Sequence, residues 1–191
     1  MEDQPHSAMA ESAPAGATPA RSLPMSAIQA EYWGPPETLR PRLTAEATLA
    51  VLDYWNALRG SRLFPSRDAF NPMEMRKYLP NILLIDALPD GVFRYRVVGS
   101  VISDFFGVGN PVGMTPQQIF GDNAEVALVP FRTCCAERVP YMHTASASWI
   151  YRDRTYVYYS TVLVPFGESD ERVEKILCCA DFVSEEDAAR V

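Results

Sequence analysis

Four side chains of this 191-residue chain are the candidates for general acid–base chemistry: Asp86, Asp104, Asp181 and His143. A carboxyl or imidazole group acts as acid or base where a nucleophile, an orienting partner or a metal lies beside it. None of the four falls in a sequence motif of that kind. We therefore expect no catalytic residue and no enzymatic activity.

The four cysteines form two adjacent pairs, Cys134-Cys135 and Cys178-Cys179. Zinc sites and redox motifs usually space their thiols by two or more residues, and sequence neighbours do not converge easily on one metal ion. We expect no metal site. Cysteine is among the most buried residue types, so structural packing is favoured, and redox sensing stays open as the alternative.

Two other motifs have both a structural and a ligand-binding interpretation. The segment from Gly107 to Gly113 is similar to a phosphate-binding loop, but its third glycine comes one residue late and no strand leads directly into it. Positive φ is therefore the favoured role of its glycines. Arg96 is expected to pair with Asp86 or Asp104, or else to offer its guanidinium group to an anionic ligand.

The composition argues against several classes of partner. The chain holds 24 acidic and 17 basic residues, a net charge of −7, with no basic stripe of the kind that binds phosphates, so we expect no nucleic-acid partner. No apolar run approaches the ~20 residues of a membrane span, and acids follow the first methionine, so neither an anchor nor a signal peptide is expected. With the cysteine pattern, this favours the reducing cytoplasm.

Strand-like runs dominate the middle and the end of the chain. Five of them are recognisable, at residues 82–88, 92–98, 141–151, 156–166 and 173–182. Pro89-Asp90-Gly91 has the residues of a tight turn and predicts a hairpin between the first two runs. The pattern predicts an α+β fold: a five-stranded antiparallel sheet, short helices on one face, and an N-terminal helix.

Helical spacing predicts the elements that cover this sheet. Apolar residues recur at helical intervals from Thr44 to Leu58, so that helix is expected to cover the face opposite the short helices. Asp122 and Glu125 have the spacing of a capping box before a second long helix. Pro130 then predicts a kink or a late start in that helix.

The termini differ from this pattern. Residues 1–40 carry eight Ala and six Pro without a sustained apolar period, which predicts a disordered tail before a domain at 41–185. Residues 186–191 are expected to form a short C-terminal tail. The alternative for the leading segment is a small docking patch of Ile28, Tyr32 and Trp33.

Short sequence motifs, in the order of these elements, resemble a divergent PAS domain family that is common in bacteria as small stand-alone proteins. The resemblance runs from about Leu52 to Phe182. It is carried by Tyr54-Trp55 with Leu58-Arg59-Gly60, Pro65-Ser66-Arg67, Pro72 with Leu79-Pro80, Leu84-Ile85-Asp86, Phe93-Arg94-Tyr95-Arg96-Val97-Val98-Gly99-Ser100, Phe106-Gly107 with Gly113, and Val164-Pro165-Phe166. The order of strands and helices is also that of the PAS fold.

The resemblance implies a non-catalytic sensory or regulatory domain that binds a small, mostly apolar ligand between sheet and helices, engages a signalling protein partner, or does both. It also implies dimerisation, so a homodimer is expected. Only about nine residues follow Phe182, so we expect the signal to pass to a separate protein. The predicted ligand-binding residues, which lie on one strand face or on the helices that cover it, are Tyr95, Val97, Phe105, Phe106, Met114, Ile119, Phe131 and His143.

We predict neither haem nor flavin as a cofactor. Haem needs an axial ligand, usually a histidine on the helical side, whereas His143 lies near the start of a strand. A flavin photosensor of this fold uses a cysteine in an Asn-Cys-Arg context, which neither cysteine pair has. The aromatic cluster of Tyr156, Tyr158, Tyr159 and Trp149 either walls the pocket or covers an interface.

Two alternatives to a ligand sensor stay open. One is a homodimeric interaction module with a filled core, whose interface is formed by the helix around Trp55 and the outer sheet face. The other is a small-molecule enzyme on a cone-shaped α+β fold, which would use a pocket aspartate and tyrosine; Asp104 is then the acid to test.

Overall fold

The computed structural model describes residues 28–150 and 157–189. The strands are β1 (Ile28–Trp33), β2 (Ile82–Ala87), β3 (Phe93–Val98), β4 (Tyr141–Ser146), β5 (Tyr158–Phe166) and β6 (Lys175–Val183). The helices are α1 (Pro36–Leu39), α2 (Glu46–Arg59), α3 (Ser100–Phe106), α4 (Pro116–Phe120), α5 (Ala124–Glu137) and α6 (Glu185–Ala188).

One antiparallel sheet organises the described residues, with the strand order β1-β4-β5-β6-β2-β3. The predicted α+β class and antiparallel pairing are confirmed, as is the β2–β3 hairpin. The sheet has six strands instead of the predicted five. The five predicted strands remain adjacent, and the additional strand β1 extends the sheet beyond β4.

The sixth strand lies inside the segment predicted to be a disordered tail. β1 pairs with β4, from Ile28 opposite Ala145 to Trp33 opposite Tyr141. Helix α1 follows it, so the predicted boundary at residue 40 is wrong, and the described fold begins at Ile28. β1 is a six-residue strand at the edge of the sheet, too short to give a sustained apolar period. The predicted tail over residues 1–27 lies outside the described residues.

Two other boundaries also differ from the prediction. Helix α6 extends the structure beyond residue 185, where the C-terminal tail was expected to begin. β4 ends at Ser146 and not at residue 151, because Ala147–Trp149 forms a 3-10 turn in which the Ile150 amide donates to the Ala147 carbonyl at 3.0 Å. The predicted chain reversal at residues 152–154 lies outside the described residues.

Helix α2 covers one face of the sheet. It packs across β5 and β6, and the indole N–H of Trp55 donates to the Pro165 carbonyl at 2.7 Å. Val162 and Val164, which alternate with the residues of the other face, are fully buried. We call the face that α2 covers the outer face. Because Trp55 is itself 1% exposed, it belongs to the core and not to the homodimer interface of the interaction-module alternative.

Helices α3, α4 and α5 cover the opposite, inner face. Thr115 and Gln118 form the capping box of α4, whereas the predicted box at Asp122 is absent: α5 begins at Ala124 with Asn123 at its N-cap and no side-chain cap bond. Pro130 lies inside α5, which continues through it to Glu137. In the sequence, these three helices lie between β3 and β4. In the fold, they pack over the inner face of the sheet.

Candidate functional site

A cavity of about 70 Å³ lies between the inner face and helices α3, α4 and α5. One water molecule needs roughly 10–15 Å³, so the space exceeds that of several waters. The sheet contributes the lining residues Leu83, Tyr95, His143, Tyr159, Thr161, Leu163, Cys178, Ala180, Asp181 and Phe182. The helices and the turn after β4 contribute Ile102, Phe105, Phe106, Phe120, Val126, Ala127, Pro130, Phe131 and Trp149.

Aromatic rings form most of the roof. Phe106 contacts Tyr95 with ring centroids 5.5 Å apart and Phe120 at 5.0 Å, and Phe120 continues to Trp149 at 4.9 Å. These spacings are those of favourable tilted and edge-to-face aromatic pairs. The arrangement joins α3, α4 and the turn after β4 into one apolar wall that suits an apolar molecule.

The sheet side of the cavity is polar at one point. His143 on β4 lies directly opposite Thr161 on β5 in the antiparallel register, and both line the cavity. The Nδ1 atom of His143 and the Oγ1 atom of Thr161 are buried without a hydrogen-bond partner among the described residues. Buried polar atoms are nearly always paired, so two unpaired atoms on neighbouring residues of one cavity are unusual.

The surroundings of His143 keep its imidazole ring neutral. The rings of Tyr141 and Tyr159 lie on either side of it, each with its centroid 5.7 Å from that of the imidazole. Burial lowers the pKa of His143 to about 4, because the charged form loses its hydration in this environment. Tyr159 is fixed in turn by Trp149, whose indole N–H donates to its hydroxyl oxygen at 2.6 Å.

Five of the eight predicted ligand-binding residues line the cavity: Tyr95, Phe105, Phe106, Phe131 and His143. Their role in binding remains a prediction. The structure brings them together because alternate residues of a strand share one face, and because α3 and α5 lie over that face.

The other three predicted residues lie elsewhere. Val97 is 37% exposed, because a β-bulge between Leu84 and Ile85 shifts the pairing of β2 with β3 and turns Val97 away from the cavity. Met114 pairs through its backbone, where its carbonyl accepts from the Tyr95 amide at 2.9 Å. Ile119 is partly buried against the main core instead of lining the cavity.

Sequence reasoning missed most of the wall that β5 and β6 contribute. The missed residues are Thr161 and Leu163, which share the inner face of β5 with Tyr159, and Cys178 and Ala180, which lie on the same face of β6. The available signal was cross-strand pairing, since an antiparallel register places one set of alternating residues beside His143. In the aromatic cluster, Trp149 and Tyr159 wall the cavity, as one of the two open interpretations expected. Tyr156 lies outside the described residues.

The other groups that the sequence offered as candidates for chemistry lie outside the cavity or have structural roles. Arg96 donates to Asp86 at 3.1 Å, which is the ion pair expected of it and not an anion site. Asp104 is exposed and does not line the cavity. Gly107 and Gly113 adopt φ angles of 68° and 86°, in agreement with the loop role predicted for them.

Neither cysteine pair has the environment of a reactive thiol. Burial raises the pKa of the Cys178 thiol well above its usual range and that of Cys135 to about 12. Protonated thiols are poor nucleophiles and poor metal ligands. Within residues 28–150 and 157–189, no cluster of three or more His, Cys, Asp or Glu side chains could hold a metal ion. No helix in the described part of the chain is long and apolar enough to cross a membrane.

Comparison with known proteins gives one family match. The family model described as "PAS domain" matches residues 43–180. A solved structure described as an RNA-binding light-oxygen-voltage receptor is similar to this chain with a TM-score of 0.43 and 15% sequence identity. The similarity covers 70% of this chain and 40% of that one, so this chain matches about two-fifths of the length of that structure. No curated protein sequence matches.

Proposed function

Since the chain belongs to the PAS domain family, we propose that it is a non-catalytic sensory or regulatory protein whose cavity binds a small, mostly apolar ligand. The observation that carries the proposal is the aromatic cavity between the inner face and helices α3, α4 and α5. Concave, mostly apolar pockets with a few placed polar groups are the usual form of small-molecule sites. The proposal includes a signalling protein partner, which the family assignment supports.

The chemistry of the cavity supports a binding role in preference to catalysis. Asp181 is the one carboxylate among the described lining residues, and burial raises its pKa. In the β5–β6 register it lies opposite Ser160, whose side chain belongs to the outer face, and it accepts from the Asn81 amide at 3.4 Å. Because its register position is on the outer face, we assign Asp181 no catalytic role in this proposal.

The size of the cavity supports the expectation that neither haem nor flavin occupies it. Pockets for drug-sized ligands have volumes of about 300–1,000 Å³, several times the space here. His143 is the one histidine among the described lining residues, and the cavity beside it is far smaller than a haem. The proposed ligand is therefore much smaller than haem or flavin.

Ligand binding is tested by filling the cavity from helix α5. Ala127 lines the cavity, so Ala127→Phe should block it, whereas Ala136→Phe on the exposed side of the same helix should not. A ligand present at a hundred times its Kd stabilises a protein by about 2.7 kcal/mol. For a chain of this size, that is a rise in Tm of about 5–10 °C.

The measurements are native mass spectrometry of protein from its own host and a thermal-shift screen of metabolites. The wild type and the Ala136→Phe variant should retain a bound mass or a stabilising compound, and Ala127→Phe should lose it. Absence of any bound or stabilising compound with the wild type, or undiminished binding by Ala127→Phe, would contradict the proposal.

The proposed homodimer has a separate test. Sedimentation of the full chain over a range of concentrations, with and without a stabilising compound, measures its mass in solution. A monomer under both conditions would remove dimerisation from the proposal and leave the ligand site untouched.

A further inference from the structure

Two residues that line the cavity, His143 and Thr161, each carry one buried polar atom that lacks a partner among the described residues. His143 and Thr161 are 6% and 4% exposed, and they are direct cross-strand neighbours on β4 and β5. Side chains in such positions have Cβ atoms about 4.5–5.5 Å apart, so one small group can contact both. Neither His143 Nδ1 nor Thr161 Oγ1 has a partner within the described structure, and both residues line the same apolar cavity.

We infer that the cavity recognises a compact, uncharged apolar molecule with one hydroxyl group, and that this hydroxyl pairs with His143 Nδ1 and Thr161 Oγ1. The inference rests on the proposed ligand-binding function and specifies its ligand. A hydroxyl oxygen donates one hydrogen bond and accepts others. It therefore satisfies both atoms whichever of the two ring nitrogens carries the proton, because the Thr161 hydroxyl can act as donor or acceptor.

Charge complementarity excludes an anionic ligand. No lysine or arginine lines the cavity among the described residues. The imidazole of His143 is neutral at physiological pH, since burial lowers its pKa to about 4. An anion would thus lose its hydration without gaining a positive partner, which is costly in an apolar site.

The shape of the cavity favours an aromatic or similarly compact skeleton. The hydroxyl-binding pair lies on the sheet, while Phe106, Phe120 and Trp149 form the opposite wall. A ring that contacts this wall keeps its hydroxyl directed to the sheet. Aromatic pairs of this kind add stabilisation beyond the area that they bury.

Three fluorinated probes separate these properties: fluorobenzene, 4-fluorophenol and 4-fluorobenzoate, titrated into the full-length protein at pH 7.5 and followed by ¹⁹F NMR. A purely apolar cavity would prefer fluorobenzene, because burying an unpaired hydroxyl is unfavourable. With two hydrogen bonds formed, 4-fluorophenol should bind about tenfold more tightly than fluorobenzene. The benzoate should show no saturable binding.

Matched variants assign the preference to the two residues. Thr161→Val removes the hydroxyl with little change in volume and should weaken 4-fluorophenol binding about fivefold, and His143→Leu about tenfold, without weakening fluorobenzene binding. Thr144→Val is the control, because Thr144 is also buried with an unpartnered hydroxyl on β4 but does not line the cavity. It should change the affinity for each probe less than twofold. Retained fluorobenzene binding shows that a variant is folded.

Each result has a defined consequence. Equal or weaker binding of 4-fluorophenol relative to fluorobenzene would overturn the hydroxyl inference and leave the ligand-binding function intact. A preference for the phenol that persists in both Thr161→Val and His143→Leu would also overturn it. Failure of all three probes to bind, together with a negative metabolite screen, would overturn both the inference and the proposed function.

Discussion

The neutral imidazole of His143 makes the stability of the fold depend on pH. Its pKa falls from the ordinary 6.5 to about 4 in the folded chain, so the unfolded chain binds the proton more tightly. The stabilisation is therefore fully present above pH 6.5 and is lost as the pH falls towards 4. A difference of 2.5 pKa units corresponds to about 3 kcal/mol in total, of which about 2 kcal/mol is lost between pH 7.5 and pH 5.0.

The assay is urea unfolding of dilute protein at several pH values between 7.5 and 5.0, for the wild type and for His143→Gln. Carboxyl groups titrate in both proteins, so the difference between their two stability curves isolates the imidazole. The wild type should lose about 2 kcal/mol more than the variant over this range, at unchanged m-value. Parallel curves, or an NMR titration that gives His143 a pKa near 6.5, would refute the reasoning.

Three further changes have defined outcomes in urea unfolding at neutral pH. Gly99→Ala should destabilise by about 3 kcal/mol or more, because its Cβ would lie 2.2 Å from a backbone carbonyl oxygen, whereas Gly109→Ala, which has open space, should cost less than about 0.5 kcal/mol. Trp55→Phe should cost about 1–3 kcal/mol by leaving the buried Pro165 carbonyl without its donor. Deleting residues 1–34 should cost about 2 kcal/mol or more, because β4 loses its partner strand.

For each of these three changes, a different result would contradict a specific contact in the fold. Equal midpoints for Gly99→Ala and Gly109→Ala would contradict the close approach of backbone around the start of α3. A Trp55→Phe protein as stable as the wild type would remove the bond between α2 and β5 from the energetics of the outer face. Full stability after deletion of residues 1–34 would mean that β1 is dispensable.

The hairpin of β2 and β3 was predictable because its signals are local. Pro89-Asp90-Gly91 sets the turn, and the runs on either side have strand length, so no distant partner is needed to recognise them. Helix α2 was predictable for the same reason, because its apolar spacing and the Gly60 that follows its last residue are local signals. Val97 was misplaced because a bulge at Arg96, in its own strand β3, reverses the alternation at that point.

The cavity was only half predictable, because part of its wall depends on register between strands that are distant in sequence. Which face Thr161 occupies follows from its pairing with His143, and that pairing depends on how the chain returns from β4 to β5. The turn at Ala147–Trp149 shortens β4 and places Trp149 at the cavity. Alternation within one strand indicates two faces but does not say which face meets the helices.

Strand β1 shows how a weak local pattern can still determine the environment of the site. Its six residues lie before the segment that matches the PAS family model, yet Glu31 is the register partner of His143 and accepts a hydrogen bond from the Tyr141 hydroxyl. β1 thus covers the edge of the strand that holds the polar point of the cavity. Deleting residues 1–34 should therefore also raise the pKa of His143 towards 6.5, since water regains access to β4. An NMR titration of the variant that lacks residues 1–34 measures the pKa of His143. An unchanged pKa would show that α5 and the two tyrosine rings are sufficient to exclude water from the imidazole.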